Sequence, residues 1–220
     1  MSPAAALRPE MLWSRAREVS VLAMTSGALE PLLSREVVVV DGGVPFLVRQ
    51  LDSLQRKARA VAPLGVTPTD PFCPWDPALY VGAVSSTHVA LLNKFNVLEE
   101  HLLIVTVKPE PQTQLVTLED WRAWYAGLSA RPSLGFYNGG KEAGASQPHK
   151  HLQLVPLPLG RGVPGVPIAP WLASATGEEG LDVLADYPVH HAFARLSPSG
   201  EQGLDAEASF DAWCRLARAA

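Results

Sequence analysis

The residues with the most evident chemistry lie between positions 147 and 153, where the chain reads Gln-Pro-His-Lys-His-Leu-Gln. Pro148 disfavours regular helix at its own position and an α conformation at the residue before it. In a β-strand, side chains alternate between two faces, so His149, His151 and Gln153 would share one face. Burying two imidazoles and a carboxamide is costly unless partners satisfy them. The row is therefore a polar stripe on an otherwise apolar strand.

A loop rich in glycine and small residues precedes this row. Residues 138–146 read Asn-Gly-Gly-Lys-Glu-Ala-Gly-Ala-Ser, and such a loop lets backbone N–H groups approach an anion closely. On the strand that follows, Lys150, Leu152 and Leu154 would point away from the histidines. A loop that holds an anion, then a strand, then paired histidines, is suited to chemistry on phosphate.

Other interpretations of the same residues remain open. A His-x-His pair on a strand could ligate Zn²⁺, although no Asp, Glu, Cys or His nearby supplies an obvious third ligand. The pair could also lie unreactive at a solvent edge, and the loop could be an ordinary surface turn. Gly42 and Gly43 are interpreted as a hairpin turn, because no Gly-x-Gly-x-x-Gly or Walker pattern follows them.

Several short strands and one helix must position these residues. The pattern predicts strands over residues 80–84, 87–92, 101–107, 134–138 and 149–157. Thr117 is expected to cap a helix over 118–128, with Glu119 and Asp120 favouring its N-terminal dipole end. Short strands with one intervening helix indicate an α+β fold.

The flanking parts of the chain are less regular. The spacing of apolar residues predicts a helix over 8–29 that ends near Gly27 and Pro31. A hairpin is expected from two apolar runs, at 35–40 and 44–49, and a short helix from 51–60. An irregular connector would follow at 62–77. Beyond residue 160 the sequence is loosely patterned until a helix-like stretch at 210–219.

Composition limits the class of protein. The 220 residues are 47% hydrophobic and carry a formal charge of −4. This balance gives no electrostatic reason to expect binding to nucleic acid or to an acidic membrane. Cys73 and Cys214 are far apart, so a disulfide framework is not expected. No signal peptide or membrane span is evident in the sequence, and these features predict a soluble cytoplasmic protein.

Five separated blocks resemble, in order and spacing, the diadenosine tetraphosphate phosphorylases, also called ATP adenylyltransferases. The blocks are Asp-Pro-Phe-Cys-Pro-Trp-Asp-Pro at 70–77, Thr-His-Val-Ala-Leu-Leu-Asn-Lys-Phe-Asn at 87–96, His-Leu-Leu-Ile-Val-Thr at 101–106, Phe-Tyr-Asn at 136–138 and Gly-Ala-Ser-Gln-Pro-His-Lys-His-Leu-Gln at 144–153. The resemblance implies the antiparallel sheet with flanking helices of the histidine-triad and galactose-1-phosphate uridylyltransferase-like superfamily. Gln153 stands where the hydrolases of that superfamily carry a third histidine.

The resemblance also implies a domain division. It covers residues from about Arg35 to Pro158, so an N-terminal and catalytic histidine-triad-like domain is expected over 1–160. Members of the family usually continue into a C-terminal portion that makes further contacts with the nucleotide. Residues 161–220 are expected to be an incomplete version of that portion.

A covalent mechanism is implied for the row of polar residues. His151 would attack the α-phosphorus of a bound dinucleotide, releasing ATP and leaving an adenylyl-histidine, which inorganic phosphate would then convert to ADP. Neutral imidazole suits this step, because it is an uncharged nucleophile near pH 7. His149 would orient the site or hydrogen-bond phosphate, and Gln153 would offer an amide N–H to a non-bridging oxygen.

Substrate contacts are implied for eight further residues. They are Lys57, Asn93, Lys94, Asn138, Gly144, Ala145, Ser146 and Gln147. His88 and His101 are interpreted as structural, and His190 and His191 receive no role.

Few accessory molecules are expected. A divalent cation, Mg²⁺ or Mn²⁺, would accompany the nucleotide, and no tightly bound cofactor is expected. The partners would be the dinucleoside polyphosphate, ATP, ADP and phosphate. Rival functions are a dinucleoside polyphosphate hydrolase of the same fold and a nucleotide-binding protein without turnover.

Overall fold

The computed structural model describes residues 5–51, 70–161, 165–174, 183–184, 187, 190–196 and 205–219. Lys57, most of the predicted helix at 51–60 and the start of the connector at 62–77 lie outside the described residues. Leu51, the first residue of that predicted helix, belongs instead to a strand.

The chain begins with a helix and a separate hairpin. Helix α1 (Pro9–Ser26) has proline in its first turn and ends at Gly27, whose φ of 77° is readily adopted by glycine. Strands β1 (Ser34–Asp41) and β2 (Val44–Leu51) pair antiparallel around a turn at Gly42 and Gly43, both with positive φ. The predicted helix and hairpin are therefore confirmed.

Five further strands form one antiparallel sheet in the spatial order β3-β4-β5-β7-β6. They are β3 (Tyr80–Ala83), β4 (His88–Leu92), β5 (Leu102–Thr106), β6 (Ser133–Phe136) and β7 (His151–Pro156). Each corresponds to a predicted strand, and with the helices around it the sheet confirms the α+β class.

One predicted boundary is wrong at the site itself. The strand expected over 149–157 begins at His151, and His149 makes only an isolated antiparallel bridge to Pro111. The physical reason is a side chain, since Gln112 Oε1 takes the backbone N–H of His151 at 2.7 Å. Pro148 also has no N–H with which to extend the ladder.

Three more α-helices are found among the described residues. Helix α2 (Leu118–Ala130) has the expected cap, a reciprocal capping box between Thr117 and Asp120. The short helix α3 (Ala169–Ser174) was not predicted, and α4 (Ala206–Ala219) begins before the expected residue 210. Among the described residues, no helix is long and apolar enough to cross a membrane.

The sheet has two different faces. One packs against α1 and α2 and forms the larger core, with Ile104 and Leu152 fully buried. The other carries a smaller apolar cluster around Phe72, Leu103 and Val105. Because Val105 lies opposite His151, and Leu103 opposite Gln153, the polar row shares this second face.

Candidate active site

One ring nitrogen of His151 is hydrogen-bonded to the protein, and the other has no hydrogen-bond partner among the described residues. Its Nδ1 lies 2.8 Å from the backbone carbonyl of His149. A carbonyl oxygen only accepts, so Nδ1 carries the proton, and in a neutral imidazole the lone pair is then on Nε2. Within the described part of the chain, no hydrogen bond to Nε2 is found. This nitrogen is therefore suited to attack an electrophile.

The surroundings of His151 also favour the neutral form. The side chain is buried. Burial lowers the pKa of His151, and the neighbouring His149 lowers it further, while the hydrogen bond to the His149 carbonyl raises it. The net lowering keeps the imidazole uncharged near pH 7, which is the nucleophilic state.

His149 is held by other protein groups on both of its nitrogens. Nδ1 lies 2.7 Å from Asp70 Oδ2, and Nε2 lies 2.8 Å from the carbonyl and 3.0 Å from the hydroxyl oxygen of Thr106. These contacts fix the His149 ring, and the His149 backbone in turn fixes His151. With both nitrogens engaged, His149 is suited to orient the site, and the arrangement does not fit a pair of histidines that share a zinc ion.

Gln153 is oriented by a histidine from the neighbouring strand region. Its Oε1 lies 3.0 Å from His101 Nε2, and His101 Nδ1 lies 3.3 Å from Asn93 Nδ2. The pKa of His101 is lowered to about 4, mainly by burial. The hydrogen bond to Gln153 opposes this lowering, and the nearby His151 adds to it. His101 is thus neutral at pH 7, and it contacts the polar row directly. Its interpretation as purely structural did not include this contact.

Gln112 connects the glycine-rich loop to β7. Besides accepting from His151 N–H, its amide donates to the carbonyl of Asn138 at 2.8 Å and to that of His151 at 3.1 Å. Gln112 is buried, and each of these bonds satisfies a polar group that would be costly to leave unpaired. The start of the loop and the start of β7 are consequently held in a fixed relation.

A cavity of about 510 Å³ lies between this loop and residues 111–113. Three of the predicted substrate contacts, Ala145, Ser146 and Gln147, line it together with Lys141. The cavity extends to Pro148, directly before the histidine row. Among the described residues that line it, Lys141 supplies a positive charge that suits an anionic ligand.

Gly144 and Asn138 belong to the same loop. Gly144 has a φ of 93°, a backbone conformation that residues with a side chain rarely adopt. A Cβ added at this position would lie 3.6 Å from Asn138 Nδ2. Glycine is therefore required for this turn. The structure brings five of the eight predicted substrate contacts together in the loop before β7.

The remaining three predicted contacts lie elsewhere. Lys94 Nζ pairs with Glu30 at 3.2 Å, and its side chain is 42% exposed. Asn93 bonds to His101, as described above. Lys57 lies outside the described residues. The roles of Lys94, Asn93 and Lys57 in substrate binding stay predictions.

On the opposite side of β7 a buried lysine is held by charge. Lys150 has no exposed surface, and its Nζ pairs with Asp120, which also accepts from His88 Nε2 at 2.9 Å. Burial alone would raise the pKa of Asp120, but the hydrogen bonds from His88 and Lys150 outweigh it and lower that pKa. The prediction that Lys150 faces away from the histidines is confirmed, and His88 belongs to this structural cluster.

Sequence reasoning missed four residues that hold the polar row. They are Asp70, His101, Thr106 and Gln112. Three of them fall inside or at the edge of the blocks that carry the family resemblance, which was the available signal. Gln112 falls outside those blocks, and nothing in its local sequence distinguishes it.

Fold and site together define an α+β protein with a five-stranded antiparallel sheet and a buried histidine whose Nε2 is suited to attack an electrophile. Comparison with known proteins gives the family. The profile of the family described as Ap4A phosphorylase N-terminal domain (Ap4A is diadenosine tetraphosphate) matches residues 2–174. The chain belongs to this family.

Two curated relatives come from Saccharomyces cerevisiae. Protein APA1 is 34% identical over 128 residues, which cover 52% of this chain and 39% of that protein. Diadenosine 5',5'''-P1,P4-tetraphosphate phosphorylase 2 is 38% identical over 79 residues, covering 31% of this chain and 24% of the relative. The matched region thus spans well under half of either relative.

Crystal structures of yeast Ap4A phosphorylase Apa2 share the fold. The complex with AMP aligns with a TM-score of 0.77 at 23% identity, over 98% of this chain and 72% of that one. The complex with Ap4A aligns with a TM-score of 0.73 at 23% identity, over 94% and 72%. These alignments confirm the histidine-triad-like sheet with flanking helices.

Proposed function

We propose that this protein is a nucleotidyltransferase that phosphorolyses Ap4A with inorganic phosphate to ADP and ATP. The observation that carries the proposal is the proton arrangement of His151, whose Nδ1–H donates to the His149 carbonyl and leaves the Nε2 lone pair available. Family membership supports Ap4A as the substrate class, since related proteins bear that name and Apa2 has been crystallised with Ap4A and with AMP.

The proposed first step is attack of His151 Nε2 on the α-phosphorus. A P–N bond forms, the P–O bond to the remaining phosphates breaks, and ATP leaves with that electron pair. The positive charge that develops on the imidazole is shared through Nδ1–H with the His149 carbonyl. Gln153 would donate an amide N–H to a non-bridging oxygen and stabilise the charge on the transferring group.

The second step reverses the roles. An oxygen of inorganic phosphate attacks the adenylyl phosphorus, the P–N bond breaks, and its electron pair returns to Nε2. ADP is released, and the enzyme is ready for another cycle. This sequence conserves the anhydride energy that reaction with water would lose.

The nucleotide would bring its own cation. No three His, Cys, Asp or Glu side chains converge among the described residues in a way that could hold a metal ion. Mg²⁺ or Mn²⁺ would therefore be coordinated mainly by phosphate oxygens, which such hard cations prefer. The loop before β7 would bind the outer phosphates beside Ser146 and Lys141.

The proposal is tested by trapping the intermediate. Protein incubated with Ap4A labelled in adenine should retain acid-labile adenylyl label and release ATP without phosphate, and added phosphate should convert the label to ADP. His151→Ala should abolish labelling, whereas His190→Ala, a change at an exposed histidine, should leave it intact.

Three results would contradict the proposal. Product formation at the same rate without phosphate would indicate a hydrolase. Binding of Ap4A with no label on the wild-type protein would indicate a nucleotide-binding protein without turnover. Labelling that persists in His151→Ala would place the nucleophile elsewhere.

A further inference from the structure

A line of hydrogen bonds with a defined direction leads to Gln153. It starts at the backbone N–H of Phe95, 3.3 Å from Asn93 Oδ1, and continues from Asn93 Nδ2 to His101 Nδ1 at 3.3 Å. It then passes from His101 Nε2 to Gln153 Oε1 at 3.0 Å. His101 and Gln153 are 7% and 9% exposed, so water offers little competition for these bonds.

Each link determines the next. A backbone N–H only donates, so the Asn93 atom beside it must be the carbonyl oxygen and the amide NH₂ must face His101. His101 Nδ1 must then accept, and the single proton of a neutral imidazole is left on Nε2. Nε2–H donates to Gln153, which requires the oxygen of that carboxamide to face His101.

The outcome is that Gln153 presents one kind of group to the site. Its oxygen is engaged by His101, and within the described part of the chain no residue accepts from its Nε2. The two amide N–H groups therefore remain available on the face that carries His151. The side chain can donate to an anionic oxygen there, while its carbonyl oxygen faces His101.

We propose that His101 is a positioning residue that sets the choice of second nucleophile by holding the Gln153 oxygen toward itself, so that the amide N–H groups face the site. The proposal rests on the proposed function, in which an adenylyl group on His151 is transferred to phosphate. An attacking phosphate already carries negative oxygens and needs no base, and the N–H groups of Gln153 would attract it.

Water has a different requirement. When its oxygen forms a bond to phosphorus and the P–N bond breaks, water must release a proton, and attack is easier where an acceptor orients it. Release of that proton to solvent and return of the electron pair to His151 would yield AMP. A Gln153 whose oxygen faced the site could orient such a water, and the bond from His101 prevents this orientation.

The direction of the hydrogen-bond line is tested without any reaction. In the wild-type protein labelled with [¹⁵N]histidine, NMR at pH 7 should show His101 as the neutral tautomer with the proton on Nε2. The loss of one resonance pair in His101→Gln assigns the signal. A proton on Nδ1, or on both nitrogens, would overturn the proposal even if the transferase activity is real.

The effect on specificity is tested with two substitutions at one position. His101→Met removes the donor at similar volume, and His101→Gln keeps an amide N–H near the Nε2 position. Isolated adenylyl-enzyme is mixed with phosphate, and the ratio of AMP to ADP is measured. We expect the ratio to rise on the order of tenfold in His101→Met, as for the loss of one orienting hydrogen bond, and to stay near the wild-type value in His101→Gln.

The other possible results also test the proposal. An unchanged ratio in a folded His101→Met variant, or an equal rise in both variants, would overturn the proposal. If thermal unfolding shows that His101→Met does not fold, Asn93→Ala replaces it and should raise the ratio in the same direction by a smaller factor. If wild-type protein forms no adenylyl-enzyme, the proposed function fails, while the tautomer measurement still decides whether the hydrogen-bond line exists.

Discussion

At the scale of single residues, the site depends on where protons are placed. His149 and His151 have the same side chain two positions apart, but only His151 leaves a ring nitrogen unbonded to the described residues. The difference comes from Asp70 and Thr106, which bind both nitrogens of His149. Spacing alone predicted that the two histidines share a face, and their partners distinguish the proposed nucleophile from its support.

His101 makes stability depend on pH. Burial lowers its pKa from 6.5 to about 4, so the unfolded chain binds a proton that the folded protein excludes. The stability that comes from keeping His101 neutral is fully present above pH 6.5 and is lost as the pH falls toward 4. Between pH 7 and pH 5, His101 should account for a loss of about 2 kcal/mol in the free energy of unfolding.

Urea unfolding at the two pH values measures this loss. His151, whose pKa is also lowered, contributes with the same sign, so the informative quantity is the difference between wild type and His101→Gln. The variant cannot titrate at this position and should lose about 2 kcal/mol less than wild type. Equal losses in the two proteins would show that His101 is not buried in its neutral form.

At the scale of elements, β7 and the residues just before it are held on both faces by polar contacts. One face presents the histidine row, and Lys150 on the other face is bound to Asp120 at the start of α2. Asp120 also accepts from Thr117 N–H in the capping box. The cap of the helix and the anchor of the strand are therefore the same carboxylate.

Replacing Asp120 should reveal this double role. Asp120→Ala leaves Lys150 buried without its partner and removes half of the capping box, and we expect a loss of about 3–5 kcal/mol in the free energy of unfolding. Glu119→Ala removes a like charge from the same helical turn at an exposed position and should cost about 0.5 kcal/mol. Chemical denaturation compares the variants, and similar losses would indicate that the Lys150 pair contributes little.

Local sequence patterns predicted the elements better than the contacts between them. Short continuous apolar runs located β4 and β5, and Thr117 located the start of α2, because each signal lies within a few residues. The contact between Asp70 and His149 joins positions 79 apart in sequence, and no local periodicity encodes it. The true start of β7 was missed for the same reason, since a side chain from residue 112 determines it.

At the scale of the whole molecule, the helical layer and β7 are coupled through one tryptophan. Trp124 in α2 donates its indole N–H to the Gln153 carbonyl at 3.0 Å. The same ring packs on the edge strand β6 where Gly135 lacks a side chain. Trp121 beside it bonds to Ser209 of α4 at 2.8 Å, so the coupling reaches the last described helix.

Gly135→Ala tests how rigid this coupling is. A Cβ at position 135 would lie 2.5 Å from Cζ2 and 2.7 Å from Cε2 of Trp124, and the ring cannot rotate away without losing its bond to Gln153. We expect a loss of about 1–3 kcal/mol in the free energy of unfolding, as for other overpacked cores. Gly139→Ala adds the same methyl group where no atom lies within 4 Å and should change stability by about 0.5 kcal/mol or less.

Because the displaced ring also supports Gln153, Gly135→Ala should slow adenylyl-enzyme formation even at temperatures where it is fully folded. A stable Gly135→Ala protein with an unchanged rate would mean that the helical layer covers the sheet without fixing the site.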